Sequence, residues 1–148
     1  MAMMPIEVLH PMTVHFPIAL LIVAFVVETL ALVFKTPVWH RISFWNLVLG
    51  TWGALAAAIT GGVAAAVAQP PSWESRSVLT LHGVWGTLAF ACAAAITSFH
   101  LAAGREMPRR SRWIAWGLLG ATCVVITFAS HLGARLVYEY GVVEVDLP

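Results

Sequence analysis

Charge is scarce in this sequence. Lys, Arg, Asp and Glu make up 10% of the residues, whereas a soluble globular chain carries about one quarter. That scarcity excludes an ordinary soluble domain, and the near balance of 8 basic and 7 acidic residues gives no reason to expect a nucleic-acid partner. Cysteine is scarce too. Cys92 and Cys123 both lie in apolar runs, without the spacing of a disulfide framework or a metal motif. The N-terminal residues lack the basic flank and small-residue cleavage site of a secretory leader, so they are read as part of a mature helix. The ~10-residue alternation of a transmembrane β-barrel is also missing.

What is present is hydrophobic sequence in long runs. Residues 11–34 contain one charge, Glu28, and residues 42–73, 77–104 and 113–134 contain none. A bilayer core about 30 Å thick needs roughly 20 apolar helical residues, and a backbone in lipid must pair its polar groups internally. The pattern predicts an all-α chain, an integral membrane four-helix up-down bundle, with residues 1–148 forming a single transmembrane domain. The helices are expected at about 10–34, 40–68, 78–103 and 112–138, with short connections that make successive helices antiparallel neighbours. Lys35, Arg41, Arg105, Arg109, Arg110 and Arg112, six of the eight basic residues, fall in the first and third connections. The positive-inside rule then puts those loops in the cytoplasm and both termini on the outer, periplasmic side of a bacterial inner membrane. Trp39, Trp45, Trp113 and Trp116 are expected near the inner interface, and Trp73 and Trp85 near the outer one.

Six histidines are many for so apolar a chain, and ionisable side chains within a membrane are costly and usually functional. His10 and His15 open the first helix, His82 lies about one turn into the third, and His131 lies near the end of the fourth. In an up-down bundle all four reach a similar depth on the outer side. Gly61 and Gly62 of the second helix reach that depth as well, and they either serve close helix packing or leave room for something flat. Imidazole in an apolar bundle suits haem iron, zinc or copper, and no carboxylate or thiol lies at this level. A bis-histidine haem b is therefore expected, with His15 and His82 on diagonal helices as the first pair, His131 as the substitute for either and His10 after it. Arg135, one turn beyond His131, is placed to pair with a propionate. The alternatives are a zinc or copper site built from His10, His15, His82 and His131, as in a transporter or metalloenzyme, or histidines that only hydrogen-bond helices together in a structural subunit of a larger complex.

Toward the inner side, His40 and His100 read as interfacial. His82 and His100 are 18 residues apart, five turns and about 27 Å along one helix face, which is long for two stacked haems. Glu28 and Asn46 match in depth and are expected to hydrogen-bond to each other, either as structural glue or in proton or quinone contact. No Ser-His-Asp, Cys-His or paired-carboxylate arrangement shares a depth, so an electron carrier is expected rather than a stand-alone enzyme.

The segment H-P-M-T-V-H-F-P-I-A-L from His10 and the segment H-L-G-A-R-L-V-Y-E-Y-G-V from His131 resemble the opening H-P-x-x-V-H-F-P-I and closing G-G-x-L-V-Y-x-x-G-V of the DUF2231 family of small bacterial membrane proteins. The resemblance covers essentially the whole chain, and Ala134 replaces the second closing glycine. His10, His15 and His131 fall on motif positions. Family members look associated with redox proteins, some resembling fusions to Rieske or cytochrome c modules. The resemblance thus implies membrane electron transfer between a quinol pool and a periplasmic cytochrome or Rieske-type partner, with quinone binding and homo-oligomer formation left open.

Overall fold

The computed structural model describes residues 6–104 and 107–142. Four helices follow one another: α1 (Ile6–Phe34), α2 (Pro37–Val67), α3 (Trp73–Ala103) and α4 (Arg109–Tyr138). All four are long and apolar enough to cross a membrane, and the described residues contain no strand. Each neighbour in the ring α1–α2–α3–α4–α1 packs on the next, while the backbones of the diagonal pairs stand apart. The α1/α2 and α3/α4 hairpins are the closest packed.

Each helix begins three to five residues before the apolar pattern predicts, because helical hydrogen bonding does not stop where hydrocarbon does. Local chemistry sets the true starts. Pro37 occupies the first turn of α2, where its missing N–H costs nothing. Ser72 and Ser75 form a reciprocal capping box at the start of α3, satisfying two donors that the first turn leaves unpaired. Pro108 immediately precedes α4. The α1 end is equally well defined: Lys35 turns left-handed (φ 54°) and the Thr36 amide bonds back to the Ala31 carbonyl. This is the six-to-one closure of a Schellman motif, and it leaves only two residues between α1 and α2.

The packed centre is built mostly from small and aliphatic side chains: Leu21, Ala24, Leu47, Ala89, Ala93, Ile96, Leu119 and Ile126. Alanines and glycines let the helices approach closely, the usual basis of association in lipid. Gly50 illustrates this, since a Cβ there would lie 3.0 Å from Leu21. The outer surface is apolar as well, with Val124 70% and Trp52 66% exposed, which suits a hydrocarbon surround and not water. Thr29, Thr51, Thr122 and Ser130 donate their hydroxyls to carbonyls one turn back on their own helices, so they enter the apolar zone already satisfied. Among the described residues no buried side-chain polar atom lacks a partner.

Candidate functional site: a histidine pair joining all four helices

At the bundle end shared by the start of α1, the end of α2, the start of α3 and the end of α4, two imidazoles meet. His10 of α1 and His82 of α3 place their Nε2 atoms 3.4 Å apart. The rings are steeply inclined, with centroids 5.7 Å apart and planes at 71°. The helices carrying them are diagonal, so the side chains bridge a gap that the backbones do not close.

The other two helices hold the rings in place. His82 Nδ1 lies 2.9 Å from the Ala129 carbonyl oxygen of α4. A carbonyl only accepts, so Nδ1 carries the proton, and in the neutral ring Nε2 presents its lone pair to His10. The His82 ring rests over Gly133, where a Cβ would come within 2.9 Å of Cε1. His10 mirrors this on α2. Its Nδ1 is 3.4 Å from Thr60 Oγ1, and its ring covers Gly61, where a Cβ would lie 2.8 Å from Cε1. Thr13 completes the network by donating to the His10 carbonyl at 2.9 Å and meeting Thr60 Oγ1 at 3.0 Å. The two glycines are thus ring seats, one on each supporting helix.

Two protonation patterns are open to a neutral His10. His10 can donate Nε2–H to His82, or it can donate Nδ1–H to Thr60. In the second pattern two lone pairs face each other, and that arrangement is stable only with an electrophile between them.

The sequence-predicted site residues divide sharply. His10, His82 and Gly61 come together. His15 does not join His82; its Nδ1 lies 2.7 Å from the Pro11 carbonyl and its side chain is exposed. Five positions rotate a helical side chain by about 140°, so His10 and His15 cannot both face the bundle interior. His131 is exposed for a similar reason, since α4 turns Ala129 and Gly133 toward His82 and carries the residue between them outward. Gly62 is exposed, with nothing within 4 Å of a Cβ built there. Arg135 is engaged by its own helix end, through Nε to Glu139 at 2.7 Å and Nη2 to the Tyr140 hydroxyl at 3.1 Å. Among the described residues no three His, Cys, Asp or Glu side chains converge as a metal site, so the four-imidazole arrangement does not form.

Sequence reasoning missed Gly133, Thr60, Thr13 and the Ala129 carbonyl. Gly133 stands in the closing motif, and Thr60 immediately precedes the paired glycines; both were visible signals. The partner expected for Glu28 was also different. Asn46 donates to its own helix at Ile42, while Glu28 Oε1 is 2.8 Å from His40 Nδ1. The two-residue α1–α2 turn sets this register. Ser43 sits opposite Ala24, donating to its carbonyl at 2.8 Å, so position 40 and not 46 arrives beside Glu28.

Four apolar spans enclosing a hydrogen-bonded histidine pair define a multi-pass membrane protein with a polar site inside its bundle. The chain belongs to the family described as "Predicted membrane protein (DUF2231)", which matches residues 7–146. Comparisons with curated proteins and with solved structures found no match.

Proposed function

We propose that this protein is a membrane b-type cytochrome whose haem iron is held between His10 and His82. The observation that carries this reading is the pair of Nε2 atoms facing each other at 3.4 Å while both Nδ1 atoms are occupied elsewhere. Metal–imidazole bonds of about 2.0–2.1 Å would let both Nε2 lone pairs reach one iron, and the rings would have to part to admit the macrocycle between α1 and α3. The donor set also fits. Two protein ligands are what a macrocycle with four nitrogens of its own requires, whereas structural zinc wants four protein ligands.

Bound haem would supply one-electron redox chemistry. The chain's own residues do the rest. Ala129 and Thr60 orient the imidazoles, as partners of the far nitrogen of a ligating histidine do. Gly61 and Gly133 set how deeply the rings sit. The basic first and third connections favour a cytoplasmic location, which puts the pair near the outer face of a bacterial inner membrane. There it would pass electrons between the quinol pool and a periplasmic cytochrome or Rieske-type protein.

Reduced-minus-oxidised spectra of the purified protein test this reading. Wild type should show a Soret band and a sharp reduced α-band, which His10→Ala and His82→Ala abolish and His15→Ala and His131→Ala retain. A colourless wild type, or full retention by the first two variants, overturns it. Colourless protein carrying stoichiometric zinc or copper would move the same imidazoles to a metal site. Colourless protein without metal would leave a hydrogen-bonded pair that fastens α1 to α3.

A further inference from the structure

The opposite end of the bundle, where the α1–α2 and α3–α4 connections lie, holds a second polar cluster. Glu28 is 6% exposed, and its Oε1 lies 2.8 Å from Nδ1 of His40 in the first turn of α2. Ser43 fixes the facing register through Ala24. On the α4 side, Trp116 stacks on Phe25 and donates to Thr29, the neighbour of Glu28, at 2.8 Å. Other basic or titratable groups at this end are Lys35 on the turn, Arg41 on α2, His100 on α3, and Arg109, Arg110 and Arg112 on α4. Among the described residues, His40 is the one such group within ion-pair distance of Glu28.

A carboxyl and an imidazole in contact have two arrangements with no net charge: carboxylate with imidazolium, and carboxylic acid with neutral imidazole. Both hold the same number of protons. Removing one leaves a single buried negative charge, which an apolar surround penalises. We propose that Glu28 and His40 form a proton-binding site. In the loaded state the pair is neutral overall. On release the proton leaves from imidazole Nε2 to water, and the remaining Nδ1–H still donates to the carboxylate, whose charge is now uncompensated. The His40 side chain is 18% exposed at this end of the bundle, which gives the proton its route.

This site is independent of the haem reading. His10 and Glu28 lie on one face of α1, 18 residues and about 27 Å apart. The apolar core around Leu21, Ala24 and Ala93 lies between them, so the two sites are separate.

The test uses full-length protein with 15N-labelled histidine in lipid nanodiscs, with His40→Gln to assign the His40 signals. His40 protonation is followed by NMR in wild type and in Glu28→Gln, which keeps an acceptor oxygen for Nδ1–H but removes the charge. The expected result is proton affinity at His40 at least about tenfold weaker in Glu28→Gln. Equal affinity in the two proteins overturns the proposal, because a carboxylate that shares the bound proton with His40 must strengthen its binding. Infrared spectra of wild type alone serve if that variant does not fold. Carboxyl and imidazole bands must then change together with pH, and an unchanging carboxyl band overturns the proposal.

Discussion

Gly133→Ala offers the sharpest test of how the histidine pair is built. The added methyl would stand 2.9 Å from His82 Cε1 and 3.3 Å from Nδ1, well inside ordinary carbon contact distances of about 3.5–4.0 Å. The methyl is fixed to the backbone of α4, so the ring must move. Moving it strains the bond to Ala129, which lies one turn earlier on the same helix. Overpacking of this kind costs about 1–3 kcal/mol, but alanine also regains up to about 1 kcal/mol of helix propensity relative to glycine. Gly62→Ala removes that ambiguity, since its Cβ meets nothing within 4 Å while its propensity gain is the same. At about 2–4 °C per kcal/mol for a chain of this size, Gly133→Ala should melt roughly 2–12 °C below Gly62→Ala in the same detergent. In a His82→Ala background the methyl meets no ring, and the difference should vanish. Equal melting temperatures for the two glycine variants, or a deficit that persists without His82, would refute the seat argument.

Three further outcomes are expected. Ser43→Ala removes the hydroxyl that ties α2 to the Ala24 carbonyl and should cost about 1 kcal/mol in denaturant titrations. Ser72→Ala breaks the capping box of α3; it should cost about 1 kcal/mol and raise hydrogen exchange in the first turn of α3 while leaving α1 unchanged. Cysteine placed at Arg76 should react with an impermeant thiol reagent from the outside of intact cells, and cysteine placed at Lys35 only after lysis; the reverse labelling would invert the orientation drawn from the basic loops.

The number of spans was legible because run length alone answers whether a helix can cross a bilayer, and each run meets the requirement of roughly 20 residues. Helix starts were less legible. Ser72 and Ser75 form a cap whose hydrogen bonds are indifferent to hydropathy, so α3 begins at Trp73 and not at 78. Depth was also legible: His10, His82 and Gly61 do share a level. Azimuth was not. His10 and His15 sit in one short motif, and only the packing of α1 on α2 decides which imidazole faces inward. The same limit explains Glu28. Its depth fitted Asn46, but the contact is governed by a turn of two residues whose left-handed Lys35 cannot be read from a hydropathy pattern.

The alanine-packed middle of the bundle has an electrical consequence. The transmembrane voltage falls mostly across apolar packed layers such as that around Leu21, Ala24, Leu47, Ala89 and Ala93. One elementary charge crossing 100 mV exchanges about 2.3 kcal/mol with the field. The histidine pair and the Glu28–His40 pair therefore stand at different electrical potentials, and a change of charge at either answers to the solution on its own side.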